Sequence, residues 1–225
     1  NKSPIHIFSE TLSYEVRIPN TLKNNIEERN FLKSLEPDLV IVVAYGQIIP
    51  KEFLNLSKNG FINIHASQLP KWRGAAPIQR SLINLDKETG VSIMKLNEKL
   101  DEGPIYDIFS TGIKDNENAK ELSLRLSNLA SEKILQCLED IFENKAVFKN
   151  QDHNNATYAS KINKSEGKIS WEDNAKEILG KINGLYPYPG AWFVYKGKRY
   201  KILKAEFSNA KGNPGKILSE NFEIG

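Results

Sequence analysis

Residues 39–44 read Leu-Val-Ile-Val-Val-Ala, a continuous apolar run rich in β-branched side chains. An unbroken run of this kind indicates a strand that is covered on both faces. Pro37 stands just before it and ends a short helical stripe that begins near Ile26, because proline disfavours helical backbone at the residue before it. A helix followed by a covered strand is typical of a parallel sheet with helices on both sides.

Strands and helices alternate further along the chain. We predict strands at residues 61–65, 91–96 and 105–113, and a helix from Pro77 to about residue 85. Asn118 with Glu121 three residues later resembles a capping box, and a long apolar helical stripe follows it as far as residue 142. This alternation predicts an α/β domain with a mostly parallel sheet.

Composition limits the class of protein. The 225 residues are 40% apolar and 26% charged, which is ordinary globular usage and enough for one large domain or two small ones. No apolar run is long enough to span a bilayer, so we expect no membrane partner. The single Cys137 excludes a disulfide framework and a multi-cysteine zinc site, so we expect a cytosolic protein. The chain opens on Asn rather than Met, and we expect an incomplete or processed chain.

A second, smaller unit is predicted after a polar linker. Residues 1–148 form the first domain in this interpretation, 149–157 the linker and 158–225 a β-rich unit with strands near 191–195 and 199–204. Before Tyr158 there are 19 basic and 21 acidic residues, a net charge of −2; from there on there are 12 and 7, a net charge of +5. A basic unit indicates either a polyanionic partner or simply a solvated surface.

Three polar residues are candidates for chemistry. Asn63 and His65 point to the same face near the carboxyl end of their predicted strand. Asp101 follows the next predicted strand, and ligand crevices in α/β sheets lie outside strand ends. The alternative is a hydrogen-bonded strand end and a turn aspartate. His6 and His153 have no polar residues of catalytic type near them in the sequence. The chain has neither a Gly-rich phosphate loop nor the spacing of zinc ligands.

Four groups of motifs, in order along the chain, resemble those of the folate-dependent formyltransferases. They are Val-Ala-Tyr-Gly-Gln-Ile-Ile-Pro at 43–50, Phe-Ile-Asn-Ile-His-Ala-Ser-Gln-Leu-Pro-Lys-Trp-Arg-Gly-Ala-Ala-Pro-Ile-Gln-Arg at 61–80, Thr-Gly-Val-Ser-Ile-Met at 89–94 with Leu-Asp-Glu-Gly-Pro-Ile at 100–105, and Thr-Tyr-Ala-Ser-Lys-Ile at 157–162 with Tyr-Pro-Gly-Ala-Trp-Phe at 188–193. Gln68 departs from the family, which usually has leucine there.

The resemblance implies a Rossmann-like formyltransferase domain followed by a smaller, OB-like barrel. It implies that 10-formyltetrahydrofolate is the co-substrate, that no metal is needed, and that Asn63, His65 and Asp101 are catalytic. It also implies folate contacts from two loops and a later glycine, namely Ala44, Tyr45, Gly46, Ile48, Ser67, Gln68, Leu69, Pro70 and Gly103.

The sequence of residues 72–79 resembles that of the branch of the family that formylates charged initiator methionyl-tRNA in the cytoplasm or an organelle. The resemblance also implies that an N-terminal strand–helix portion and the end of the barrel are missing, and we expect a monomer. Two alternatives stay open. One is a formyltransferase acting on glycinamide ribonucleotide or an amino sugar nucleotide, and the other is a catalytically silent tRNA-binding protein.

Overall fold

The computed structural model describes residues 2–219, 223 and 224. Its helices are α1 (Pro4–Thr11), α2 (Ile26–Ser34), α3 (Lys51–Leu54), α4 (Pro77–Ile83), α5 (Ala119–Phe142) and α6 (Ala175–Leu185). Its strands are β1 (Val40–Val43), β2 (Phe61–His65), β3 (Arg73–Gly74), β4 (Glu88–Lys95), β5 (Ile105–Gly112), β6 (Tyr158–Ala159), β7 (Ala191–Tyr195) and β8 (Lys198–Ile202). Helices and strands alternate over residues 26–142, which confirms the predicted α/β class.

Four strands form the main sheet in the order β1-β2-β4-β5. β1 and β2 are parallel, whereas β4 is antiparallel to both of its neighbours. The described sheet is therefore mixed rather than mostly parallel as the sequence predicts. The short connection between β4 and β5, residues 96–104, accounts for one of the two antiparallel pairings, because parallel neighbours need a crossover of about a dozen residues or more.

One face of β1 is packed and the other is exposed. Val40 and Val42 pack against a core cluster that includes Phe53. Ile41 is 45% exposed and Val43 is 60% exposed. The apolar run predicts cover on both faces, and within the described residues only one face has it.

Helix α5 covers the other strands of the sheet. It begins with the predicted capping box, in which the Glu121 N–H donates to Asn118 Oδ1 at 3.1 Å and the Asn118 N–H donates to Glu121 Oε2 at 3.0 Å. Its apolar stripe forms the main core with β2 and β4, through Leu122, Leu126, Ile62, Val91 and Ile93.

Cys137 lies on the buried side of α5. Burial raises the pKa of its thiol to about 11, so the thiol stays protonated at neutral pH and behaves as a small apolar side chain. In the described part of the chain, no helix combines the length and the apolar composition needed to cross a membrane.

Helix α6 packs closely on α4 through two glycines that lie one turn apart. A Cβ on Gly180 would lie 2.7 Å from Leu85 Cδ2. A Cβ on Gly184 would lie 2.9 Å from the carbonyl oxygen of Gln79. Any larger side chain at either position would push the two helices apart.

Strands β7 and β8 correspond to the strands predicted near 191–195 and 199–204, and they pair as a hairpin. Its turn residues, Lys196 and Gly197, have φ angles of +46° and +74°, the left-handed conformation that two-residue hairpin turns require. A bridge from Lys168 to Trp192 attaches the hairpin to the chain before α6.

Candidate functional site

The structure brings the side chains of Asn63, His65 and Asp101 together. Asn63 and His65 share one face of β2, as the two-residue period predicts. All three residues are buried, with exposed fractions of 8%, 6% and 9%. Buried polar groups need partners, so this cluster must satisfy its own hydrogen-bonding groups.

Asp101 reaches the cluster by a route that differs from the expected one. Because β4 is antiparallel to β2, its last residue, Lys95, pairs with Ile62 at the start of β2. The loop 96–104 therefore starts beside the first residues of β2, at the end away from His65. It folds back over the sheet and brings Asp101 to His65. Asp101 has a φ of +50°, in the left-handed region that L residues rarely adopt.

The Asp101 carboxylate is held by three neighbours. Oδ2 accepts a hydrogen bond from the Gly74 N–H at 2.8 Å. Oδ1 lies 3.5 Å from Nδ2 of Asn63, and Oδ2 lies 3.7 Å from Nδ1 of His65. A charge-assisted bond such as that from Gly74 contributes about 1.5–3 kcal/mol. The carboxylate is thus fixed between an amide, a backbone N–H and an imidazole.

The partners of His65 define its tautomer. Nε2 lies 2.9 Å from the carbonyl oxygen of Trp72, which has only lone pairs to offer, so Nε2 carries the proton and donates. Nδ1 faces the carboxylate of Asp101. A second proton on Nδ1 would give an imidazolium that faces an acceptor on each side. The ring is therefore oriented by an acceptor on each side.

Gly74 is required at its position by the backbone around it. Its φ is +120°, and a Cβ there would lie 2.8 Å from the carbonyl oxygen of Ala159. β3 pairs with β6 at this point, so residues 158 and 159 run directly against the segment that binds Asp101.

The first loop expected to contact folate lies at the end of β1. Ala44, Tyr45, Gly46 and Ile48 are exposed, and Ala44 and Gly46 have φ angles of +49° and +73°. Tyr45 lines an open cleft of about 370 Å³ between β1 and α2. Burial and the nearby Glu28 carboxylate raise the pKa of the Tyr45 hydroxyl. Among the described residues, no hydrogen bond joins this loop to the Asn63–His65–Asp101 cluster.

The second such loop directly follows His65. Ser67 and Leu69 are buried, and the Leu69–Pro70 peptide is cis. Ser92 of β4 holds this loop, donating to the Ser67 carbonyl at 2.7 Å and accepting from the Leu69 N–H at 3.0 Å.

Gln68 and Gly103, the other residues expected to contact folate, are not held by Ser92 as Ser67 and Leu69 are. Gln68 is half-buried and donates to Ser110 Oγ at 2.8 Å. Gly103 is buried in the Asp101 loop, where a Cβ would lie 1.8 Å from the Lys95 carbonyl oxygen. With Ser67 and Leu69 enclosed, Gln68 is the polar side chain of its loop with exposed surface.

Two residues beside the cluster were not among the predicted site residues. Arg73 is only 1% exposed and Gln151 is 6% exposed, and the two side chains are hydrogen-bonded to each other. Gln151 lies in the segment that its polarity identifies as a linker, and nothing in the sequence distinguishes it from neighbouring polar residues. His153, which is 60% exposed, accepts from Arg73 at 3.3 Å.

Comparison with known proteins gives the family. The family model described as formyl transferase matches residues 1–138, and the model of the formyl transferase C-terminal domain matches residues 161–224. The chain belongs to the formyl transferase family. It is 63% identical over 224 residues to the methionyl-tRNA formyltransferase of Pelagibacter ubique, an alignment that covers 100% of this chain and 72% of that protein.

Solved structures share the fold at low identity. The methionyl-tRNA formyltransferase from Clostridium thermocellum superposes with a TM-score of 0.68 at 21% identity, covering 91% of this chain and 88% of that one. HypX from Aquifex aeolicus in complex with tetrahydrofolic acid superposes with a TM-score of 0.67 at 19% identity, covering 93% and 36%. The Rossmann-like formyltransferase fold is thus confirmed.

Proposed function

We infer that this protein transfers a formyl group to the α-amine of methionyl-tRNA, giving the formylmethionyl-tRNA that initiates translation. The observation that carries this inference is 63% identity to a methionyl-tRNA formyltransferase over the whole chain. The buried cluster of Asn63, His65 and Asp101 supports the same activity, since it offers an amide donor, a titratable ring and a carboxylate within contact distance.

We propose 10-formyltetrahydrofolate as the formyl donor. The amine of methionyl-tRNA, freed of its extra proton, attacks the formyl carbon, and a tetrahedral oxyanion forms. The bond from that carbon to N10 then breaks, the amine nitrogen loses a proton and N10 gains one. Loops 44–48 and 67–70 and Gly103 are the proposed folate contacts. HypX, a fold relative, is known in complex with tetrahydrofolic acid.

Asn63 and His65 are the proposed donors to the oxyanion. The Asn63 Nδ2 contact with Asp101, at 3.5 Å, is long, so an N–H of this amide is easily redirected to substrate. The Nε2–H of His65 is engaged by the Trp72 carbonyl and must exchange that carbonyl for substrate. A single donor of this type is typically worth about 100- to 1,000-fold in rate.

Asp101 is the proposed orienting and proton-accepting group. Its carboxylate faces Nδ1 of His65 at 3.7 Å and so fixes the orientation of the ring. We expect the same carboxylate to take the extra proton of the methionyl ammonium through a water, before the neutral amine attacks. The Gly74 N–H keeps the carboxylate aimed at this position.

The second unit is the proposed tRNA-binding part, and we propose that it forms a small OB-like barrel on a monomeric protein, with the division at 149–157. Its hairpin carries five cations and no acid over residues 196–204. Lys196 and Lys198 are exposed at the turn. Arg199 lies 4.1 Å from the ring centre of Trp192, and Lys201 donates to the Pro187 carbonyl at 2.7 Å. Lys196 Nζ lies 5.3 Å from the ring centre of Tyr195, an exposed contact that phosphate can replace, so both turn lysines remain available to follow phosphates.

An assay with three acceptors tests this function. The protein is given 10-formyltetrahydrofolate labelled in the formyl group and, separately, charged initiator methionyl-tRNA, glycinamide ribonucleotide or an amino sugar nucleotide. We expect label in methionyl-tRNA alone. Label in either small amine would support the alternative formyltransferases, and binding of tRNA with no transfer would support a silent tRNA-binding protein.

A further inference from the structure

The side-chain amide of Gln151 uses its whole hydrogen-bonding capacity, half of it on the loop that carries Asp101 and half on Arg73. Its Nε2 donates to the carbonyl of Asp101 at 2.8 Å and to the carbonyl of Gly103 at 2.7 Å. Its Oε1 accepts from Arg73, at 3.0 Å from Nε and 2.8 Å from Nη2. An amide side chain has two donors and two strong acceptor positions, so none remains free.

The guanidinium of Arg73 makes this arrangement rigid. Arg73 is almost completely buried, and its Nη1 lies 3.6 Å from the carboxylate of Glu102. Three consecutive residues of the loop are thereby held, residues 101 and 103 by their carbonyls and residue 102 by its side chain. A planar guanidinium that binds through two nitrogens fixes direction as well as distance.

The backbone of the loop needs such support. Asp101 has a left-handed φ of +50°, which L residues rarely adopt without surrounding contacts. This conformation turns its carboxylate toward His65, Asn63 and the Gly74 N–H. A loop relaxed by even about 1 Å would lose that aim.

Gln151 comes from a part of the chain that neither family model matches, since the matched ranges are 1–138 and 161–224. The same segment runs on to Thr157, whose Oγ1 accepts from the Trp72 N–H at 2.9 Å and whose carbonyl accepts from the Arg73 N–H at 2.9 Å. The segment therefore contacts both sides of the cluster, the Asp101 loop and residues 72–74.

We propose that Gln151 is a positioning residue for formyl transfer: it holds the Asp101 loop in the conformation that aims the carboxylate at His65. This proposal rests on the proposed function. If Gln151 only stabilised the fold, its contacts would be the same. The effect of replacing Gln151 on kcat would then not depend on whether residue 101 has a carboxylate.

A double-mutant cycle separates these two roles. Gln151→Leu removes all four bonds, and we expect kcat to fall by about 10- to 100-fold with both KM values within about threefold. In an Asp101→Asn background the same change should lower the residual rate by less than about threefold, because the group being positioned is already lost. An equal loss in both backgrounds, or a loss carried by KM alone, overturns the proposal.

Gln151→Glu is the second variant, for use if Gln151→Leu does not fold. Its carboxylate can still accept from Arg73 but has no N–H for the carbonyls of residues 101 and 103, so we expect a similar fall in kcat. Wild-type kcat in this variant overturns the proposal. Gln136→Leu, on the exposed face of α5, is the matched control and should keep wild-type kcat. Wild-type protein that fails to formylate methionyl-tRNA would instead refute the proposed function.

Discussion

Nδ1 of His65 lies 3.7 Å from Oδ2 of Asp101, while the Nε2 of the same ring donates to the Trp72 carbonyl at 2.9 Å. The ring therefore has a carboxylate on one side and a carbonyl on the other, and both are acceptors. A histidine in these surroundings is oriented by Asp101 and can pass its Nε2–H to a new acceptor only by leaving Trp72. Binding of substrate at Nε2 and loss of the Trp72 contact are thus connected at one side chain.

Replacement of His65 should affect turnover and not folate binding. We expect His65→Ala to lower kcat by more than about 100-fold, because a donor to the oxyanion acts in the transition state. Folate affinity, measured by fluorescence titration, should stay within a few-fold. His6→Ala on α1 serves as the control. A matching loss of folate affinity would make His65 a ground-state ligand instead.

The charge of Asp101 should matter more than its shape. Asp101→Asn keeps an oxygen for the Gly74 N–H but removes the negative charge beside His65, and we expect kcat to fall by about 100-fold or more. Steady-state rates over a range of pH measure this, with the exposed Asp115→Asn as the control. A variant with wild-type turnover and an unchanged pH profile would remove Asp101 from the mechanism.

The turn lysines should contribute to the salt dependence of tRNA binding. Lys196→Glu with Lys198→Glu should weaken binding and flatten the slope of log affinity against log salt by about one or two units. The reason is that fewer counterions are released on binding when phosphate contacts are lost. Titrations in a series of potassium chloride concentrations measure the slope.

The control for the hairpin variant carries the same change of charge elsewhere. Lys58→Glu with Lys120→Glu alters the range matched by the first family model and should leave the slope close to that of the wild type. If the hairpin variant keeps both its slope and its affinity, tRNA does not follow this hairpin.

The pair of Glu117 and Arg125 should make stability depend on pH. Burial acts to raise the pKa of the Glu117 carboxyl, but the hydrogen bonds from Arg125 and the Lys114 N–H outweigh it and lower the pKa below 4.5. A lowered folded-state pKa means that the stabilisation is present above the unfolded value and is lost as the pH falls through the folded value.

Urea unfolding of Glu117→Gln at several pH values tests this pair. At pH 7 the variant should be less stable than the wild type, and the difference between the two should shrink as the pH falls below about 4.5. A difference that is constant from pH 7 to pH 3 would show that the charge of Glu117 has no part in it.

The sequence predicts those features that depend on local patterns. The two-residue period places Asn63 and His65 on one face, and the hairpin turn at Lys196 and Gly197 follows from its glycine. The local sequence does not determine the direction of β4, because a buried strand has the same apolar pattern whether its neighbours are parallel or antiparallel to it. Gln151 was not predicted because its partners lie up to 78 residues away in sequence.

The glycines that bring α6 against α4 limit whether the C-terminal part of this protein can be exchanged for that of another protein. Gly180 and Gly184 belong to the range matched by the C-terminal family model, yet the surface that they fit, at Gln79 and Leu85, belongs to the range matched by the other family model. A chimera that joins this C-terminal part to another formyltransferase would have to carry a compatible α4 surface with it. Because a Cβ at Gly184 would meet the backbone carbonyl of Gln79, no side-chain change on α4 is expected to rescue a substitution there.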